Sequence, residues 1–422
     1  METCSNPGCD QLGSNKCSAC KTTLYCGPTC QTADWHHHKE ECQGHLRKLG
    51  EAQLLKARGF HKEGNSWGQT LRCSELALVK LEKLKDRPLD VIDEAMRMAG
   101  EAHLEMAIRF QQVGDATQAL RGSELALTTL KKLKARPLET IKIIDKAFTW
   151  KFNTLNSTGQ KKEARDCAEE RYSLWAAGHM RNYGMFDAAF PLIEALIHNK
   201  DFDQAHLIAS TANEMIINDT DNIIPDDQRQ YFLAQASHLL GLATYRLAES
   251  GGIPSGEMQK AGEEAIALAR KSLEINTQLY GTQSNQVALN AATLANVLKY
   301  FNGIDIDDGN EIFRLYEQSI FTYSRVQGVL SLNVAANEKN LGAMYRIRAM
   351  KAEAADDLDG SVANLELSLP HFRKGERIYR EINLMDAAEK AAQAVVLAET
   401  ELRKTKIIRA AAAAAAAEAT ES

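Results

Sequence analysis

Ser74-Glu75-Leu76-Ala77-Leu78, followed by Leu84-Lys85-Asp86-Arg87-Pro88-Leu89, returns 49 residues later as Ser123-Glu124-Leu125-Ala126-Leu127 and Leu133-Lys134-Ala135-Arg136-Pro137-Leu138. A period of this size marks stacked helical hairpins, each too small to bury its apolar face without a neighbour. The composition agrees. Only 8 prolines and 26 glycines in 422 residues, with long Ala/Leu/Glu/Lys segments, favour helix over an all-β or collagen-like chain. Aromatics are 6%, so the cores must be aliphatic, and the length calls for several folding units or a repeat array rather than one core.

Around the second copy, Met106-Ala107, Phe110, Gly114-Asp115, Ala119, Ser123 and Ala126 follow at spacings that let two antiparallel helices approach through small residues and turn at Gly114. This segment resembles a tetratricopeptide repeat. Weaker copies begin at Ala57, Phe152 and Ile193, and Leu240-Gly241, Leu294-Ala295 and Leu341-Gly342 look like further first helices, about seven hairpins in all. Ser272, Gly281, Val287 and Leu294 also recur 47 residues on as Ser319, Gly328, Val334 and Leu341. The layout is similar to the tetratricopeptide arrays of kinesin light chains, although the repeat tryptophan is absent and the repeat proline sits late, at Pro88 and Pro137. The resemblance implies a repeat array over residues 51–409, with a low-complexity alanine-rich tail, 410–422, as a helical extension. Loops are expected at Asn218–Asp227, Ser250–Gly256 and Asn302–Asn310. The last begins an EF-hand-like Asp305-x-Asp307-Asp308-Gly309 but has Asn310 and Tyr316 where calcium binding needs glycine and glutamate.

Seven of the nine cysteines lie in the first 42 residues, as Cys4-x4-Cys9-x7-Cys17-x2-Cys20-x5-Cys26-x3-Cys30, and then Cys42 after His38. An odd number of clustered thiols in a chain without a leader-like start reads as metal ligation, and seven cysteines with one histidine supply two closed tetrahedral zinc sites. His38 shares a helical face with Cys42, as His36 and His37 do not; His45 is the weaker alternative. Asn6-Pro7-Gly8 can turn the chain between Cys4 and Cys9. The run Cys30-Gln31-x-x-Asp34-Trp35-x-x-His38-Lys39-x-x-Cys42 resembles the MYND zinc finger, and residues 1–46 are assigned to it. That resemblance implies interleaved pairing, with Cys4, Cys9, Cys26 and Cys30 on one zinc and Cys17, Cys20, His38 and Cys42 on the other. It also implies a groove at Gln31 and Trp35 for proline- and leucine-containing peptides.

The fold class expected is thus mostly α: a small two-zinc MYND finger followed by an α-solenoid of tetratricopeptide-like hairpins. No apolar stretch is long enough to span a bilayer. The formal charge of -6, and five Lys/Arg against five Asp/Glu in residues 1–50, disfavour nucleic acid as a partner. The basic stretches Lys80–Arg87 and Lys131–Arg136 read as solvated helix faces, and Cys73 and Cys167 as core thiols. His61, His103, His179, His198, His206, His238 and His371 are scattered without a catalytic motif. A cytoplasmic or nuclear, non-enzymatic adaptor is expected, binding proteins through the finger groove and the concave face of the repeats. The alternatives are a transcriptional co-regulator acting through the finger and a MYND-type lysine methyltransferase relative; the latter expects SET-domain sequence before the finger and an Asn-His-Ser-Cys segment after it, and neither is found.

Overall fold

The computed structural model describes residues 2–64, 66–133, 137–177, 184–219, 224–302 and 306–421. It divides into two compact units, Met1–Gly178 and His179–Ser422. Unit 1 opens with a two-stranded antiparallel ribbon, β1 (Asn15–Lys16) and β2 (Leu24–Tyr25), and a short helix, α1 (Pro28–Ala33). Then come α2 (Trp35–Glu63), α3 (Trp67–Leu81), α4 (Leu89–Gln112), α5 (Ala116–Leu130), α6 (Leu138–Ser157) and α7 (Lys161–Ala177). Unit 2 holds α8 (Gly184–His198), α9 (Phe202–Ile217), α10 (Asp226–Glu249), α11 (Met258–Tyr280), α12 (Asn285–Phe301), α13 (Ile306–Val326), α14 (Leu332–Ala354), α15 (Leu358–Glu381) and α16 (Met385–Glu421). Among the described residues the helices from α2 to α15 pack as seven consecutive hairpins, with α16 packed on α15 and α14. The mostly α, tetratricopeptide-like architecture expected from the sequence is the one observed.

The 49-residue echo has a packing explanation. Ser74, Ala77, Leu81 and Leu84 of the first copy are buried, as are Ser123, Ala126, Leu130 and Leu133 of the second. Leu81 seats in a notch at Gly50 of α2, and Leu130 in a notch at Gly100 of α4: a Cβ at Gly50 would lie 2.7 Å from the Leu81 side chain, and one at Gly100 2.5 Å from that of Leu130. The late prolines are helix starts. Pro88 precedes α4 and Pro137 precedes α6, where a missing N–H costs nothing.

The 47-residue echo in unit 2 is a set of hydrogen bonds and turns. Ser272 donates to the Ala234 carbonyl and Ser319 to the Ala288 carbonyl, both at 2.8 Å, which ties a second helix to the preceding first helix. Asn290 and Asn337 donate in turn to those serine hydroxyls. Gly281 and Gly328 take positive φ after α11 and α13, and Ser284 and Ser331 then cap α12 and α14 by accepting from Val287 and Val334. Gly64, Gly114 and Gly159 turn the hairpins of unit 1 with φ near +70° to +80°. Lys200 occupies the corresponding position after α8 at φ 64°, without the freedom glycine would have.

Several sequence expectations need correction. The Asn302–Asn310 loop is interrupted by α13, which starts at Ile306; Asp305 of the rejected calcium motif lies outside the described residues, as does His179. The Asn218–Asp227 loop ends at Pro225, where α10 begins, and Thr220–Ile223 are outside the described residues. Lys80–Arg87 is not a helix face, since α3 stops at Leu81 and Leu84 is buried in the turn; Lys134–Arg136 of the second basic stretch are outside the described residues. The limits at 46 and 51 both fall inside the unbroken α2. The alanine tail continues α16 as far as Glu421, beyond the ion pairs Arg346–Glu401, Arg373–Glu399 and Arg409–Asp359 that fasten that helix. No helix among the described residues is long and apolar enough to cross a membrane.

Candidate metal centre

The amino-terminal cysteines converge because short local turns replace a core that so few residues cannot build. Cys9 N–H donates to the Asn6 carbonyl at 3.1 Å, and Gly8 takes φ 84°, so Asn6-Pro7-Gly8-Cys9 is a type II turn that brings Cys9 back toward Cys4. Cys17 and Cys20 form a knuckle closed by Lys21 N–H on the Cys17 carbonyl, with Lys21 itself left-handed at φ 61°. Cys26 precedes α1 and Cys30 lies within it, whereas His38 and Cys42 sit one turn apart on the buried side of α2.

These eight side chains form two groups, Cys4/Cys9/Cys26/Cys30 and Cys17/Cys20/His38/Cys42, with all donor atoms of a group within 4.8 Å of one another. The interleaved pairing implied by the family resemblance is the one seen. A tetrahedral zinc with bonds of about 2.3 Å to sulfur and 2.0 Å to nitrogen holds its donors roughly 3.5–3.8 Å apart. Cys9–Cys26 is 3.7 Å, Cys9–Cys30 3.8 Å, Cys26–Cys30 3.4 Å and Cys17–Cys42 4.0 Å, while Cys20 Sγ lies 3.4 Å from His38 Nε2. The donor sets fit two zinc ions per chain.

The electrostatics ask for a cation. Cys30 beside Cys26, helped by burial, pushes the Cys26 thiol up to about 12, and burial with the neighbouring Cys17 and Cys20 pushes Cys42 up to about 12. Thiols this close cannot all ionise without a metal to take the charge. Around the second group, protein dipoles already favour the thiolate: burial opposes ionisation of Cys20, but the Thr22 hydroxyl, 3.0 Å away, and the Thr22 and Thr23 amides outweigh it and bring Cys20 down to about 5.

Neighbouring groups aim the donors. Thr23 Oγ1 lies 3.2 Å from His38 Nδ1, which leaves Nε2 for the cysteine side of the ring. Tyr25 donates to Asp34 Oδ2 at 2.8 Å, and both residues are buried under the α1–α2 junction. Gln31 Nε2 donates to Cys17 Sγ and to Ser18 Oγ, and the Trp35 ring stands edge-on to His38 with centroids 6.2 Å apart. Gln31 and Trp35 therefore both border the second group, with Trp35 38% exposed. His36 and His37 are exposed with their rings tilted against each other, and His45 bonds back to the Glu41 carbonyl; none of the three belongs to either group. Asp34 stood in the quoted motif run, but Thr22, Thr23 and Tyr25 were not singled out by spacing arguments. Only their positions between ligands hinted at them.

Among the described residues, neither ligand group includes any further cysteine or histidine. Cys167 is buried, its Sγ 3.6 Å from the Phe148 carbonyl, and burial pushes it up to about 12; Cys73 packs at the edge of the α2–α4 core. His61 pairs with Glu101, His371 with Glu338, and His238 is enclosed in α10.

A family model described as MYND finger matches residues 3–42. A curated protein, Tudor domain-containing protein 1 of Homo sapiens, is 30% identical over 90 residues; the match takes in 18% of this chain, and the chain spans only 8% of that relative. Among solved structures, a kinesin light chain from Podosopora anserina with nearly identical TPR-like repeats is 16% identical with a TM-score of 0.37, over 54% of this chain and 95% of that one. The apo form of RapI is 10% identical with a TM-score of 0.42, over 84% and 99%.

Proposed function

We propose that this chain is a zinc-stabilised adaptor in which the finger presents a peptide groove at Gln31 and Trp35, and the first helices of the repeat hairpins bind further partner segments. A MYND finger joined to tetratricopeptide-like repeats fits a protein-interaction adaptor. The observation that carries the finer reading is the position of Trp35. One edge of its ring rests on His38, in the second ligand group, while more than a third of the side chain stays open to solvent. An amphipathic ring anchored in this way loses little entropy on receiving a proline or leucine side chain. The Gln31 amide nitrogen is committed to Cys17 and Ser18, which leaves its Oε1 to accept from a peptide N–H. Both ligand groups are filled by four protein donors, a closed arrangement without an open position for water, so the metal's part is structural.

The test is Trp35→Ala in the full chain, with zinc content measured first. With both zincs retained, a proline- and leucine-containing peptide is expected to bind about 2 kcal/mol more weakly, a hot-spot loss. Unchanged binding of every finger-dependent partner would make the finger a stabilising cap and nothing more.

A further inference from the structure

A cleft of about 560 Å³ lies between residues 2–7, β2 and the first turns of α2, all within unit 1. Three carboxylates line it, Glu2, Asp34 and Glu41, beside His37, His38 and His45, and among the described residues no lysine or arginine does. Acidic groups elsewhere in this unit have cations: Glu51 has Arg47, Glu94 has Arg58 and Glu101 has Arg97. Those of the cleft do not. The Glu2 side chain makes no ion pair or hydrogen bond among the described residues. Glu41 has only His38 Nδ1 at 3.7 Å, and that nitrogen is already 3.2 Å from the Thr23 hydroxyl.

Asp34 gives the cleft its fixed point. It is only 5% exposed, and the buried Tyr25 hydroxyl takes up its Oδ2 at 2.8 Å. Its Oδ1 accepts no hydrogen bond among the described residues; His37 Nδ1 is 3.6 Å away, too far for one. A buried carboxylate with an unspent oxygen is costly to hold, and a cation that reaches it removes the cost. The metal centre does not reverse this field, because three thiolates outweigh the two charges of a zinc ion in the second ligand group.

We propose that this cleft takes an arginine side chain of a partner protein. A guanidinium is a planar fork of N–H donors and is weakly hydrated, so it can meet Asp34 Oδ1 and Glu41 together, where a lysine ammonium is a compact, strongly hydrated point charge. Pro7 and Leu24, the apolar part of the lining, offer a wall for the arginine stem. The source is a protein segment rather than the free amino acid, whose own α-carboxylate would meet three carboxylates and no lysine or arginine to receive it. The proposal extends the reading of the finger as a recognition module. It does not draw on the groove at Gln31 and Trp35, although Asp34, next to Trp35, puts both within reach of one partner.

The probe is acetyl-arginine methylamide, titrated into the isotope-labelled, zinc-loaded full chain and followed by amide NMR shifts. It is compared with the uncharged acetyl-citrulline methylamide, the lysine analogue and free arginine. The arginine amide should shift the amides of Leu24, His37 and Glu41 saturably, and the citrulline amide should not. Glu41→Gln should weaken binding about threefold, and Asp34→Asn, which keeps an acceptor for Tyr25, about tenfold. Glu51→Gln, outside the cleft, should change nothing. Native mass spectrometry first establishes that each variant holds both zincs; if Asp34→Asn does not, the Glu2→Gln/Glu41→Gln double variant decides. Undiminished binding by that double variant overturns the proposal, as does equal binding of the citrulline amide. So does a third zinc that Glu41→Gln removes, which would make the cleft a metal site. Equal binding of the lysine analogue overturns the choice of arginine, and tighter binding of free arginine overturns the partner source. Absence of any shift also overturns the proposal, and the groove reading is then still decided by Trp35→Ala.

Discussion

Cys42→Ser separates what the zinc holds from what the repeats hold, because Cys42 belongs to both. It closes the second ligand group and also lies in the core that continues through Leu46, Leu54 and Ala57 of α2 to Leu81, Leu84 and Ile92. Losing one of four ligands removes most of a site whose binding is on the order of 10 kcal/mol, more than the ribbon and α1 gain from their own burial. The second ligand group and the first turns of α2 should then open, while the first group keeps its zinc. That costs the first three turns of α2, about one helical residue in thirty, so far-UV ellipticity should fall by only about that fraction. Beyond it, Gly50, Leu54 and Ala57 still pack on α3. The hairpin loses mainly the burial of Leu46, about 2 kcal/mol, and for a unit of this size that lowers Tm by about 4–8 °C. Hydrogen exchange should show amides of residues 38–45 exposed and those of α3 still protected, with native mass spectrometry finding one zinc of two. Protected amides at 38–45 would refute the claim that metal holds the start of α2. Exposure spreading through α3 would refute the claim that the hairpin stands on its own packing.

Two further predictions concern the scaffold. Lys200→Gly should raise stability by up to about 1 kcal/mol, read as a higher denaturation midpoint, because Lys200 is exposed and held at φ 64° after α8. Gly100→Ala should lower stability by about 2 kcal/mol despite alanine's better helix propensity, and in a double-mutant cycle with Leu130→Ala the combined loss should be smaller than the sum, because the added Cβ occupies the space Leu130 vacates.

The sequence displayed its echoes because each echoed residue does repeated work. Ser272 and Ser319 bond to carbonyls of the preceding first helix, and Gly281 and Gly328 take positive φ, which glycine adopts without a Cβ clash. Ligand spacing was equally readable: a knuckle pair and a one-turn helical pair are local geometries, and local geometry is written in adjacent residues. What stayed hidden depends on contacts distant in sequence. The limits at 46 and 51 lie within α2, where Gly50 is a notch for Leu81, and a lone glycine gives no sign of the side chain that fills it. Gln31 looked like a free amide, yet its nitrogen lies against Cys17 and Ser18, fourteen and thirteen residues away. Lys200 stands where the other hairpins have Gly64, Gly114 and Gly159, and its strain is in the backbone.

The shared helix bears on how the finger would work. A finger on a flexible linker presents its groove in any direction and loses that freedom on binding. Here the helix carrying Trp35, His38 and Cys42 is the same one that packs on α3, and no turn or glycine-rich stretch lies between them. Within unit 1 the exposed edge of Trp35 is therefore fixed relative to the first hairpin as long as the second ligand group is closed. Metal loss would both destroy the groove and free its direction. A partner spanning the finger and the first hairpin should then be more sensitive to zinc removal than a peptide that touches the finger alone, because it also loses the fixed spacing that makes its second contact intramolecular.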